Sequence, residues 1–303
     1  MMDTFRIVMR HLTLLLCRPL PSQRRRAIER WLRGREEFMR LQRADWVIVS
    51  FGNSGRTWLR VMLSRFQQAK YQLDEHELLA FDNLKKRNSE IPAILFSHNN
   101  YLRDYSAGKT SVDLFAGKKI VLLVRDPRDT AVSQFFQWRY RMRPNKKFIN
   151  KYPPHGADIS TWDFLLDQHS GVPRIVDYCN EWATAIQDAH DILLVRYEDM
   201  RENPKVVLDR ILTFFGTRAT DEQLCDAVEF ASYDNMKKME ESNFFSGAGS
   251  RMRRSKQADP QSFKVRKAKV GGYRDHFTDE QCEILAQMTA KLDPVFGYGR
   301  NKA

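Results

Sequence analysis

"SFGNSGRTW", residues 50–58, follows the apolar run Trp46–Val49 and precedes Leu59, Met62, Leu63 and Phe66, which fall at i, i+3, i+4 and i+7 on one face of a helix. The stretch therefore reads as strand, glycine-bearing turn and helix. Backbone N–H groups in such a turn point outward, and the helix dipole adds positive potential at the same place. Ser54 and Thr57 add hydroxyl donors and Arg56 a full charge, so an oxyanion is expected at Gly52–Trp58. The loop departs from that of a nucleoside triphosphatase, which disfavours a nucleotide kinase without excluding it. The pattern GxxxxGK[ST] needs glycine where Ser50 stands and lysine where Arg56 stands. The buried strand that should end in a magnesium-binding carboxylate ends instead in Arg125, and Asp126 suits a helix cap better.

Further strands are expected at 45–51, 93–97, 119–124 and 192–197. "KIVLLV" (119–124) is apolar throughout, as a parallel strand buried on both faces should be. "DPRD" opens a helix, with Asp126 as N-cap and Pro127 in the first position. Residues 142–158 read as an excursion loop, 162–189 as helical, and 240–273 as a polar, basic, mobile loop. Strands alternating with helices predict one α/β domain with a central parallel sheet flanked by helices, its ligands at the carboxyl ends of the strands.

The chain has 303 residues, 42% of them hydrophobic, enough for one elaborated domain, and no Gly/Ser/Pro-rich linker divides it. The boundary is placed at 43/44, with a basic helical extension (1–43) ahead of the domain (44–300). A net charge of +12 asks for an anionic partner without choosing among nucleotide, glycan, membrane and nucleic acid. Cys17, Cys179, Cys225 and Cys282 are scattered without metal-ligand spacing, so no metal site is expected and a reducing, cytoplasmic setting is the default. "LTLLLC" (12–17) is far short of the roughly 20 residues that span a bilayer and lacks a signal-peptide cleavage pattern. The basic helix after it, with Ile28, Trp31, Leu32, Phe38 and Leu41 among arginines, either packs one face on the domain or lies peripherally on an anionic membrane.

Arg125, a permanent cation at the end of a buried strand, needs an anion. That anion is either an internal carboxylate or a ligand, and Ser133, eight residues on, could share a ligand. "VRKAKVGGYR" (265–274), with cations Arg266, Lys267, Lys269 and Arg274, reads as solvated surface or as a phosphate clamp.

Taken together, these stretches resemble the sulfotransferase family that uses 3′-phosphoadenosine 5′-phosphosulfate (PAPS). "SFGNSGRTW" resembles its P-loop-like 5′-phosphosulfate loop, YPKSGTTW, and "VRDPRDTAVS" its 3′-phosphate motif. "VRYEDM" matches a segment with a tyrosine near the nucleotide, "ASYDNM" (231–236) the border of the adenine, and "RKAKVGGYRDHFT" the motif RKGxxGDWKxxFT. The resemblance implies donor contacts from Asn53, Ser54, Gly55, Arg56, Thr57, Trp58, Arg125, Ser133, Tyr197, Ser232, Tyr233, Arg266, Lys267 and Ala268, the last standing where the family has glycine. "AILFSHNNYL" aligns with the family strand ending in KTH, which makes His98 the base that takes the acceptor proton. The implied reaction is in-line, metal-free transfer of a sulfuryl group from PAPS to a hydroxyl or amine.

Two departures stand at the reacting centre. Asn53 replaces the lysine that stabilises the leaving oxygen, and Phe96 the lysine two residues before the histidine. Arg56 is expected to supply the missing charge, so His98, Arg56 and Asn53 form the catalytic set. The alternatives are a PAPS-binding protein with weak or no turnover and a nucleotide-dependent phosphotransferase. The acceptor (a glycan, lipid or small alcohol) is expected among loops 99–115, 142–158 and 240–263, with Tyr101, Tyr105 and Phe244 as candidate lining. A nucleotide accounts for the excess charge, so nucleic acid is not expected.

Overall fold

The computed structural model describes residues 2–106, 111–188, 191–245, 252–253, 259–266 and 268–298. Chain order gives α1 (Met2–Leu16), α2 (Ser22–Arg43), β1 (Trp46–Ser50), α3 (Arg56–Tyr71), β2 (Ile94–Ser97), β3 (Ile120–Val124) and α4 (Pro127–Phe136). There follow α5 (Val172–Asp188), β4 (Ile192–Arg196), α6 (Pro204–Phe214), α7 (Asp221–Phe230), α8 (Tyr233–Ser242) and α9 (Asp279–Thr289). The strands pair in the order β2-β1-β3-β4, all parallel, with Val47 between Leu95 and Ile120.

Side-chain alternation divides the sheet between two cores. Val47, Val49, Leu122 and Val124 face a layer with Phe135, Trp138, Phe164 and Trp182. Ile48, Ile94, Val121 and Leu123 face Leu59, Met62, Phe66 and Leu208. Each fully buried aliphatic contributes about 1.5–3 kcal/mol. The chain leaves β1 toward β2 and then crosses to β3 on the other side. That reversal opens a crevice at the carboxyl ends of β1 and β3, the place where such sheets bind ligands.

Asp126 caps α4 as its sequence suggests, accepting from Arg128 N at 2.8 Å ahead of Pro127. Two expectations need correction. The stretch 142–158 contains a helix, Pro144–Ile149, because Pro144 starts it and Ile149 is buried against the core. The stretch 162–189 is broken into Thr161–Leu166 and α5. Asp167 breaks it by accepting from the N–H groups of His169 (3.0 Å) and Ser170 (2.8 Å). The basic helix α2 packs across β2 and the short helix Leu102–Tyr105. It approaches closest at Gly34, where a Cβ would lie 2.2 Å from the Tyr101 carbonyl oxygen.

Candidate active site

Loop 51–55 turns β1 into α3 through two left-handed residues, Asn53 (φ 67°) and Gly55 (φ 94°). Asparagine tolerates that region and glycine is at home in it. At Gly55 nothing larger fits, since a Cβ would stand 2.6 Å from Tyr197 Cδ2. Tyr197 also lies under the Arg125 guanidinium (4.4 Å to the ring centroid) and edge-on to Trp58. The loop, the end of β3 and the start of the helix after β4 are thereby locked together around one wall of a cleft of about 1410 Å³.

Within the cleft, Arg125 donates to Ser133 Oγ (3.2 Å) and Arg266 reaches the same oxygen (3.4 Å). Arg266 stacks on Phe136 at 3.9 Å. Burial, with Arg125 as neighbour, pulls the Arg266 pKa down to about 10. The internal carboxylate alternative for Arg125 is met only loosely, by Asp129 at 3.7 Å. The oxygens of Asp129 instead accept from the N–H groups of Gly271 and Tyr273, each at 2.8 Å. Two guanidiniums converging on a hydroxyl form a site suited to a phosphate.

His98 lines the same cleft, where its Nδ1 bonds to the Ser50 carbonyl at 2.8 Å and its Nε2 meets the Arg56 guanidinium. The carbonyl can only accept and the guanidinium can only donate, which fixes a neutral imidazole with its proton on Nδ1 and its lone pair on Nε2. Burial, reinforced by Arg56, holds the His98 pKa well below its ordinary value. A carboxylate that sequence reading missed, Glu37 of α2, lines the same space and accepts from Ser97 Oγ. Burial pushes its pKa up. Phe96, in the second departed lysine position, lies under the Arg60 guanidinium at 3.7 Å.

Sequence reading also missed Lys264. Its ammonium lies 2.6 Å from Asn53 Oδ1 and 3.4 Å from Gln137 Oε1, while Asn53 Nδ2 donates to Gln134. Burial first, then Arg141 and Arg56, bring the Lys264 pKa down to about 7. The described part of the 240–273 segment is pinned by Glu240, which accepts from the N–H groups of Lys264 (2.8 Å) and Val265 (3.0 Å) and pairs with Arg141 at 2.7 Å.

Of the expected donor residues, Asn53, Gly55, Arg56, Thr57, Trp58, Arg125, Ser133, Tyr197, Tyr233, Arg266 and Ala268 line the cleft. Ser54 is buried, Ser232 is occupied as N-cap of α8, accepting from Asn235 N, and Lys267 lies outside the described residues. Ala268 sits at φ 49°, the conformation that the family glycine would adopt without strain. Among the candidate acceptor aromatics, Tyr101 lines the cleft, Tyr105 packs on Trp31 and Phe38, and Phe244 stacks on His76 away from it. No group of metal-binding side chains occurs among the described residues, and none of their helices is long and apolar enough to cross a membrane.

The family model "Sulfotransferase domain" matches residues 43–292. Sulfotransferase 2A1 of Rattus norvegicus is 25% identical over 262 residues, 80% of this chain and 81% of that protein. Cytosolic sulfotransferase 7 of Arabidopsis thaliana is 25% identical over 274 residues, 82% of this chain and 78% of that protein. The crystal structure of mouse sulfotransferase SULT7A1 complexed with PAP shares the fold, with a TM-score of 0.53 and 20% identity over 82% of this chain and 84% of that one. The family motifs stand in order along the chain, and most of their side chains meet in one cleft. The chain belongs to the sulfotransferase domain family, and by that membership it is a sulfotransferase.

Proposed function

We propose that the protein transfers the sulfuryl group of PAPS in line to an acceptor hydroxyl or amine, with His98 Nε2 taking the acceptor proton. The observation that carries this reading is that one cleft holds both sets of groups: Arg125 and Arg266 meet at Ser133, and a neutral His98 lines the same space. The donor supplies an activated sulfuryl group, whose leaving oxygen gains negative charge. Arg125, Ser133 and Arg266 hold the 3′-phosphate, and Tyr197, Trp58 and Tyr233 frame the nucleotide. Tyr233 braces Arg266 by donating from its hydroxyl to the Arg266 carbonyl.

Arg56 has two tasks in this reading. It donates to His98 Nε2, the lone pair that the acceptor proton needs. A phosphosulfate in loop 52–58 draws the guanidinium onto its oxygens and releases that lone pair, so the base becomes available when the donor is present. Preorganised cations aimed at the developing charge supply most of such rate enhancements. Lys264 adds a second cation, reaching Asn53 where the family lysine would stand.

Peripheral membrane contact in a cytoplasmic setting belongs to the same proposal. Helix α1 exposes Val8, Leu12, Leu15 and Leu16 along one side, beside the arginines of α2. The deciding experiment incubates the protein with radiolabelled PAPS and an acceptor extract. Labelled product that requires His98 supports the proposal. Tight binding of 3′-phosphoadenosine 5′-phosphate (PAP) without any turnover would leave a nucleotide-binding protein.

A further inference from the structure

Helix α2 sends one row of side chains into the cleft at helical spacing: Gln23, Arg26, Arg30, Arg33, Glu37 and Arg40. Some of this charge is used internally. Arg30 pairs with Asp104 (2.8 Å) and donates to the carbonyls of Asn100 (2.7 Å) and Ile149 (2.9 Å). Arg33 pairs with Glu29 at 2.6 Å, and Asn145 donates to the same carboxylate oxygen at 2.9 Å.

Among the described residues, neither Arg26 nor Lys146 has a carboxylate within ion-pair distance. Arg26 lies over the Phe148 ring at 4.4 Å, and its buried Nε has no hydrogen-bond partner. Lys146, on the same short helix as Phe148, bonds through Nζ to the Tyr101 hydroxyl at 3.2 Å. Arg30, Arg33 and Lys146 all stand within 6 Å of the Tyr101 ring centroid, at 5.3, 5.9 and 5.2 Å. Burial, followed by Arg33 and Arg10, brings the Lys146 pKa down to about 8. A cation buried among cations gains most from an anion that enters beside it.

We propose that Arg26 and Lys146, backed by Arg33, form an acceptor subsite that binds an anionic group, and that the acceptor is therefore an alcohol or amine carrying a phosphate, sulfate or carboxylate. The inference rests on the sulfotransferase reading, because His98 and the nucleotide residues line the same cleft. A charge-assisted contact of this kind gives about ten- to hundredfold discrimination in affinity. It also sets orientation: the anion is held at α2 while the hydroxyl points to His98.

The test uses the full-length protein saturated with PAP, so that the nucleotide residues are already occupied. Three phenols of matched shape are titrated by calorimetry: 4-hydroxyphenylacetate (anionic), 2-(4-hydroxyphenyl)ethanol (neutral) and tyramine (cationic). The expected affinity order is anion, neutral, cation, with about tenfold or more between the ends. Arg26→Ala and Lys146→Ala each collapse that ratio, while retained PAP binding shows that the variants are folded. Vesicles of phosphatidylglycerol against phosphatidylcholine extend the test to a lipid headgroup. Retention on the anionic vesicles that both substitutions abolish assigns a membrane source, and phenol selectivity without retention assigns a soluble one. Equal affinities for the three phenols, or a ratio untouched by both substitutions, overturns the proposal. Failure of PAP itself to bind would sink the sulfotransferase reading instead.

Discussion

Lys264 Nζ stands 2.6 Å from Asn53 Oδ1, joining a C-terminal loop to the anion loop across 211 positions of sequence. In the proposed function, this ammonium stands in for the family's missing positive charge from a different segment. Lys264→Ala is expected to lower kcat about 10²–10³-fold, as loss of one preorganised donor does elsewhere, with a smaller effect on PAP affinity. Asn53→Lys in that background should recover part of the loss. Recovery is partial because φ at this position is 67°, which suits asparagine better than lysine. Rapid-quench turnover of the single and double variants measures both effects.

The Lys264 ammonium is costly in the folded protein, where its pKa is about 7 against 10.5 for an ordinary lysine. Stability therefore rises with pH between about 7 and 10.5, because the unfolded chain holds a proton that the folded chain sheds. An anionic nucleotide beside it has the opposite effect and raises the pKa. PAP binding at pH 8 should then take up a large part of one proton, roughly, at this residue. Calorimetry in buffers of different ionisation enthalpy reads the uptake, and Lys264→Met should remove it.

His98→Ala is expected to reduce kcat by about 10²–10⁴-fold, the usual worth of a positioned base. Because burial and Arg56 hold the His98 pKa below its ordinary value, the base stays unprotonated as pH falls through 6.5. The acid limb of kcat/KM that belongs to His98 should therefore lie below pH 6.5, while the change near pH 7 belongs to Lys264. Arg56→Ala removes one of the cations depressing that pKa, so its acid limb should move to higher pH.

Arg125→Ala should weaken PAP about 10–100-fold, the worth of a charge-assisted phosphate contact, and leave adenosine 5′-phosphate nearly unaffected. Competitive calorimetry of the two nucleotides gives the ratio. A variant that loses both equally would place Arg125 in a structural role with Asp129 at 3.7 Å.

Gly55→Ala puts a Cβ 2.6 Å from Tyr197 Cδ2 in a left-handed residue. The conformational part alone costs about 1–2 kcal/mol. The variant should melt at lower temperature and bind PAP more weakly, since Tyr197 must shift from beneath Arg125.

Local features were legible in the sequence because local physics makes them. The strand cores, the Asp126 cap and the Arg125–Ser133 pair depend on spacing within a few turns of chain. The helix at Pro144–Ile149 was less visible because its short pattern is polar apart from Phe148 and Ile149, and one of the residues it buries, Lys147, is charged. Arg56 was legible as a charge near the reacting centre, but its contact with His98 Nε2 was not. That contact depends on how β1 and β2 pair, with Val49 opposite Ser97.

By itself, the sequence determined a parallel α/β domain, an anion loop without its lysine and the residues that match the donor motifs, because each is written in contiguous residues. Only the tertiary structure decided that Lys264 reaches Asn53 and that the arginines of α2 line the same cleft as His98. The physical reason is that a long cationic side chain has no fixed target until packing chooses one. Glu240 pins the loop carrying Lys264, and the close approach at Gly34 seats α2 against Tyr101.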